Sequence, residues 1–181
     1  MIIDTLHFSY TVTELARSVV WYEQVLGFEV VHRQRQENAY TQQLVGIDGA
    51  VLEIAQLRIP SAPIGFSTHL LELVQYVRPL GRPRREIATN DVGAAHLALL
   101  VDDIHARYER MREQGVRFRN PPAEITAGAN AGGYAVYFHD LDGFTLELLQ
   151  PRPERLREIE SLQRRRGSGT TGCDGSSNES N

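Results

Sequence analysis

The chain has 181 residues, of which 19 are basic and 23 acidic, giving a formal net charge of −4. Every basic residue is arginine, and the absence of lysine excludes Schiff-base chemistry and a phosphate-loop lysine, because both need an ε-amine. The acidic balance and the scattered arginines give no reason to expect nucleic acid as a partner.

The sequence has the character of an ordinary cytoplasmic protein. It contains no run of about 18 apolar residues, and the N-terminal MIIDTLHFSY lacks the layout of a secretion signal, so no membrane partner is expected. The single cysteine, Cys173, lies in a Gly/Ser/Asn-rich end, and residues 167–181 are predicted to be a disordered tail.

Two segments of the chain resemble each other, which indicates a divergent internal repeat. Each begins with a histidine, His7 or His96, and runs through an amphipathic stretch to a glycine, Gly27 or Gly115. The spacing from histidine to glycine is 20 residues in the first copy and 19 in the second. Each amphipathic stretch is therefore predicted to be a helix that ends at its glycine.

Helix starts and buried stripes follow from the same pattern. The first helix is predicted to begin with Thr13 as N-cap, and the second with Asp102 or Asp103. The apolar residues at helical spacing, predicted to be buried, are Leu15, Val19, Tyr22 and Leu26 in the first helix and Ile104, Tyr108 and Met111 in the second.

Strand-like runs follow each helix. They lie at 28–36, 50–59 and 69–78 in the first copy and at 116–119, 133–138 and 144–150 in the second. The order β-α-β-β-β occurs twice, which predicts an α+β fold of two βαβββ modules. Module 1 spans about 1–79, a linker covers 80–92, and module 2 spans about 93–151. A charged helix is expected over 152–166.

Two histidines and two carboxylates occupy matching positions of the repeat. His7 and His96 lie on the polar or small-residue face of the first strand of each module, because side chains alternate along a strand. Glu72 and Glu147 each stand alone in an apolar closing strand, LLELVQ or TLELLQ. Burying an unpaired carboxylate costs several kcal/mol, roughly, unless a cation compensates.

A metal centre explains both carboxylates together. If the modules pack about a pseudo-twofold axis, His7, Glu72, His96 and Glu147 meet, and this set suits one divalent cation such as Zn, Ni, Co, Mn or Fe(II). Glu53, another carboxylate in an apolar strand, is a rival for Glu72, which we prefer because only Glu72 has a repeat partner. No organic cofactor is expected.

These segments resemble the vicinal oxygen chelate superfamily, which includes glyoxalase I, methylmalonyl-CoA epimerase, extradiol dioxygenases and the bleomycin and fosfomycin resistance proteins. The similar motifs are His7 with LARSVVWYEQVLGF, NDVGAAHLALLVDDI around His96, and AVYFHDLDGFTLELLQP with Glu147. The resemblance covers nearly all of 1–151. It implies a half-open eight-stranded barrel around one metal, with His7, Glu72, His96 and Glu147 as ligands, and a homodimer.

The resemblance also implies the chemistry. We expect a metal-dependent lyase or isomerase of the glyoxalase or epimerase type that removes a proton next to a carbonyl of a small-molecule substrate, through a metal-bound enediolate, with Glu147 or Glu72 as the base. Thr11 stands where glutathione-dependent glyoxalases carry an arginine, which disfavours lactoylglutathione.

Two alternatives remain open. One is an extradiol-type dioxygenase with Fe(II) held by His7, His96 and Glu147, against which Glu72 argues as a fourth ligand. The other is a non-catalytic protein that binds an antibiotic or another small molecule.

Overall fold

The structure, a computed structural model, describes residues 1–3, 5–60, 69–82 and 87–167. All of the predicted disordered tail beyond Gly167 lies outside the described residues, as does part of the predicted linker. The described elements are, in chain order, β1 (His7–Thr11), α1 (Leu15–Trp21), which continues as a π-helix over Tyr22–Leu26, β2 (Glu29–Gln36), α2 (Ala39–Val45), β3 (Val51–Arg58), β4 (Leu70–Arg78), β5 (His96–Leu100), α3 (Ile104–Glu113), β6 (Arg117–Phe118), β7 (Ala123–Glu124), β8 (Tyr134–His139), β9 (Thr145–Gln150) and α4 (Pro153–Gly167).

Each half of the chain builds one sheet. The first has the strand order β1-β4-β3-β2, and the second has β5-β9-β8-β6 with β7 paired to β8. The first strand of each module runs parallel to the last, and the other pairs are antiparallel. The predicted α+β fold of two βαβββ modules is confirmed, and the described strands form two sheets of a half-open arrangement and not a closed barrel.

The short elements α2 and β7 were not expected from the sequence. Helix α2 covers only seven residues between Asn38, whose side chain accepts a hydrogen bond from the backbone N of Thr41, and Gly46 in the left-handed conformation. Seven residues make about two turns, which is too short for the apolar repeat of an amphipathic helix to be recognised.

The predicted N-cap of α1 is wrong, and that of α3 is right. Asp103 caps α3 by accepting a hydrogen bond from the backbone N of Ala106 at 3.0 Å. At α1 the N-cap position is Glu14, which makes no side-chain cap. Thr13 is hydrogen-bonded through both its backbone N and its hydroxyl to the carboxylate of Asp142. A contact across the two modules has replaced the local cap.

One hydrophobic core joins the two modules. It contains the predicted stripe of the first helix and, from the closing strands, Leu71 and Leu73 of β4 and Leu146 and Leu148 of β9. Glu72 and Glu147 lie between these leucines, so their side chains point to the opposite face of each sheet. We call this opposite face of each sheet its site face, and the two site faces point away from the shared core.

Candidate metal centre

The first half-site is a histidine and a glutamate on adjacent strands of the first sheet. His7 Nε2 lies 3.6 Å from Glu72 Oε1, and only 13% of the Glu72 side chain is exposed. Ser9 Oγ donates to Glu72 Oε1 at 3.2 Å, and Gln56 Nε2 donates to Glu72 Oε2 at 2.9 Å. Because both carboxylate oxygens accept a hydrogen bond from a neutral donor, Glu72 is held in one position without a cation.

Glu53 lies on the other face of the same sheet. Its register partner is Gln75, whereas Gln56, three residues further along β3, is paired with Glu72. Glu53 Oε1 accepts a hydrogen bond from Arg35 Nη1 at 3.1 Å, and 44% of its side chain is exposed. An exposed ion pair therefore accounts for Glu53, and Glu72 is the carboxylate that lies beside His7.

The second half-site occupies the matching place in the second sheet. His96 Nε2 lies 3.2 Å from Glu147 Oε2, and Glu147 is also 13% exposed. Tyr137, the register partner of Glu147 on β8, packs on the His96 ring with 5.1 Å between ring centroids. Burial raises the pKa of Glu147 above its ordinary value, although His96 acts in the opposite direction.

The two carboxylates are held differently. Ser9 lies beside Glu72 in the strand register, and the matching neighbour of Glu147 is Ala98, which has no donor. Among the described residues, His96 is the only side chain within hydrogen-bonding or ion-pair distance of the Glu147 carboxylate. The Glu147 side chain is therefore less constrained than that of Glu72.

The structure brings His7 to Glu72 and His96 to Glu147, but it does not bring the two pairs together within one chain. Within the described ranges, no group of three or more His, Cys, Asp or Glu side chains is placed to hold a metal ion. The two sheets share one core through their opposite faces, so the metal site formed by His7, Glu72, His96 and Glu147 stays a prediction. Both histidines remain accessible, with 31% of the His7 side chain and 46% of the His96 side chain exposed.

Each pair is nevertheless a suitable half of a metal centre. An imidazole nitrogen and a carboxylate oxygen face each other on an accessible surface, and such ligands suit borderline divalent cations. His7 Nδ1 is buried and has no hydrogen-bond partner in the described part of the chain, so Nε2 is the nitrogen that is available to a ligand.

The site face of the second sheet carries further polar groups that sequence reasoning missed. Arg117 is the register partner of His139, and the backbone N of Arg119 donates to Tyr137 O at 3.0 Å. Burial, followed by the guanidinium groups of Arg119 and Arg117, lowers the pKa of His139, so this imidazole is neutral at pH 7. Alternation along the strand between Val116 and Phe118 was the signal that could have placed both arginines on this face.

The loop between β7 and β8 is tied at its base by backbone hydrogen bonds. Ile125 and Gly132 are linked by a backbone hydrogen bond of 2.8 Å, and Ile125 N donates to Gly133 O at the same distance. A Cβ atom at Gly133 would lie 2.3 Å from the backbone O of Gln150, so only glycine allows this approach of the loop to β9.

In the residues that the structure describes, no helix is both long and apolar enough to cross a membrane.

Comparison with known proteins agrees with this architecture. A 2-epi-5-epi-valiolone epimerase from Actinomyces sp. is 36% identical over 148 residues, which is 79% of this chain and 76% of that protein. A lactoylglutathione lyase from Arabidopsis thaliana is 24% identical over 157 residues, which is 85% of this chain and 47% of the lyase, so the chain spans about half of it.

A solved structure and a family model extend the comparison. A glyoxalase family protein from Bacillus cereus superposes with a TM-score of 0.70 at 18% identity, covering 84% of this chain and 96% of that one. The family model of the Glyoxalase/Bleomycin resistance protein/Dioxygenase superfamily matches residues 5–148. The chain belongs to this superfamily.

Proposed function

We propose that the protein is a divalent-metal-dependent epimerase or isomerase that removes a proton from a carbon next to a carbonyl and returns it. The observation that carries the proposal is the pair of half-sites at matching positions of the repeat, each with an accessible histidine beside a largely buried glutamate. The epimerase relative, whose name denotes inversion at a carbon of a ketone, supports the epimerase form and a small polyhydroxylated ketone as substrate.

The proposed metal ligands are His7, Glu72, His96 and Glu147. When bound, the divalent cation supplies positive charge that offsets the negative charge developing on a carbonyl oxygen as the neighbouring carbon loses its proton. The fixed orientation of Glu72 suits a permanent ligand, because Ser9 and Gln56 already orient its carboxylate.

A second copy of the chain completes the proposed site. Both site faces point away from the core, and each carries one half of the ligand set. In a twofold dimer, His7 and Glu72 of one copy face His96 and Glu147 of the other, and the symmetry creates two complete sites. The exposed Leu100, which shares a face of β5 with His96, supplies apolar surface for such a contact.

Glu147 is the proposed base. The base takes a proton from one position on the substrate and returns it at another, so its side chain has to move. Glu147 is held by fewer side-chain contacts than Glu72 and is therefore freer to do so.

Hydrogen exchange with solvent tests the proposal. Purified protein is analysed for metal and incubated in deuterium oxide with 2-oxoaldehyde thiol adducts, 2-methyl-branched acyl-CoA thioesters and polyhydroxylated ketones. We expect deuterium at the carbon next to the carbonyl of one class, dependent on the metal and retained in Glu53→Gln, whose carboxylate lies on the opposite face. Metal-loaded protein that exchanges none of them, or that consumes oxygen with a catechol, would overturn it.

A further inference from the structure

Two arginines lie at the edge of the second sheet, on its site face. Arg117 and Arg119 lie on the edge strand β6 and its continuation, and Phe118 between them packs on Phe138 of the core with 5.5 Å between ring centroids. Since Phe118 points into the core, both arginine side chains point to the site face, where His96 and Glu147 also lie.

These two guanidinium groups have no counter-ion in the described part of the chain. Neither forms an ion pair or a side-chain hydrogen bond there, and both residues are exposed. At the matching edge of the first sheet, by contrast, Arg58 forms an ion pair with Glu29 at 3.1 Å. The positive charge beside the second half-site is therefore not neutralised as it is beside the first.

The distance between the arginines and Glu147, the proposed base, matches the length of a small substrate. Glu147, Tyr137 and Arg119 lie side by side on β9, β8 and the continuation of β6. Adjacent strands are about 4.8 Å apart, so the backbones of Glu147 and Arg119 are separated by about 10 Å. A hexose-sized molecule with its reacting carbon at Glu147 therefore reaches Arg119 with its far end, passing over Tyr137.

We infer that Arg117 and Arg119 bind an oxyanion, a phosphate or a carboxylate, at the end of the substrate remote from the reacting carbon. Guanidinium groups bind both anions through paired hydrogen bonds, and unneutralised arginines gain most from such a ligand. The inference rests on the proposed function for the position of the reacting carbon, and it narrows the substrate to an anionic polyhydroxylated ketone.

Binding of three matched ketoses tests the inference without turnover. D-Fructose, D-fructose 6-phosphate and D-fructuronate share one skeleton and differ at the end remote from the ketone. Dissociation constants are measured calorimetrically with metal-loaded wild type, with the Arg117→Gln/Arg119→Gln double variant and with Arg33→Gln. Arg33 is the control because its register partner Ala55 belongs to the core, so Arg33 lies on the face opposite the site.

We expect wild type and Arg33→Gln to bind at least one of the two anions about tenfold or more tightly than D-fructose, since hydrogen bonds to charged groups contribute about 1.5–3 kcal/mol. The double variant is expected to bind all three equally. Preference for the phosphate or for the carboxylate identifies the oxyanion. Equal binding of all three by wild type, or a preference that survives in the double variant, overturns the inference.

The two proposals fail separately. Arginine-dependent anion binding without any deuterium exchange would overturn the proposed reaction and leave the anion site standing. Deuterium exchange on a neutral ketone that is unaffected by the double variant would overturn the anion site and leave the reaction standing.

Discussion

The side-chain carbonyl oxygen of Gln75, near the end of β4, accepts a hydrogen bond from the backbone N of Leu15, the first residue of α1, at 2.7 Å. Gln150 makes the same contact with Ile104, the first residue of α3, at 2.8 Å. The two glutamines hold matching positions of the repeat, three residues after Glu72 and Glu147. The closing strand of each module thus carries a candidate metal ligand on one face and fixes the start of the module's helix from the other.

We predict that Gln150→Ala lowers the free energy of unfolding by about 1 kcal/mol, the typical cost of losing a helix cap. The backbone N of Ile104 is part-buried, so water replaces the lost acceptor poorly. Urea unfolding measures the change, with Gln43→Ala on the exposed surface of α2 as the control. Equal stability of the two variants would show that the contact does not support α3.

The repeat made much of this fold predictable. The spacing from His7 to Gly27 and from His96 to Gly115 defined both helices, and the alternation around Glu72 and Glu147 placed both carboxylates opposite the core leucines. Alternation along a strand determines which residues share a face, because it follows from backbone geometry alone.

What lies opposite a face depends on packing between elements, which local patterns do not contain. The structure places each histidine beside its glutamate and does not bring the two pairs together within one chain, so the four-ligand metal site stays a prediction. Thr13 shows the same limit, since its pattern fits an N-cap but its partner is Asp142, which is distant in sequence.

The carboxylate of Asp140 is buried between the modules, so we predict that the stability difference between wild type and Asp140→Asn depends on pH. Asp140 accepts hydrogen bonds from the hydroxyls of Tyr10 and Tyr22, both at 3.1 Å, and from the backbone N of Phe144 at 2.8 Å. Burial raises the pKa of Asp140 above its ordinary value, despite these opposing hydrogen bonds. Its folded form therefore binds a proton more tightly than its unfolded form.

The stabilisation from that proton is fully present below the unfolded-state pKa of about 3.9, and it is lost as the pH rises through the higher folded-state pKa. Asp140→Asn does not titrate. We predict that the free energy of unfolding of wild type, minus that of Asp140→Asn, falls with rising pH across this window. Urea titrations of both proteins at several pH values measure it, and a constant or rising difference contradicts it.

Mixing of two inactive variants tests whether the site is shared between copies. One variant carries His7→Ala and Glu72→Ala, and the other carries His96→Ala and Glu147→Ala. Neither homodimer has a complete set of ligands, but a mixed dimer has one intact site, formed by the unaltered module of each chain. Random exchange makes about half of the dimers mixed, so we expect about a quarter of the wild-type metal content and exchange activity.

A site contained within one chain would give no recovery, because every chain in the mixture lacks half of its ligands. Sedimentation of each variant alone confirms that it still forms a dimer, and circular dichroism confirms that it is folded. Recovery that increases with the time allowed for subunit exchange would tie the gain to mixed dimers.

Because the two carboxylates are held differently, we predict different effects of substitutions at Glu147 and at Gln56, which orients Glu72. We expect Glu147→Gln to slow deuterium exchange by at least about 100-fold, the usual contribution of a general base, while the metal is still bound. Gln56→Ala removes the donor to Glu72 Oε2 and is expected to weaken metal binding by about 10–100-fold, the usual effect of losing a group that orients a ligand. Cobalt titration and exchange rates at saturating metal separate the two effects. If Gln56→Ala slows exchange at saturating metal as much as Glu147→Gln does, the separate roles of Glu72 as a fixed ligand and of Glu147 as the base are contradicted.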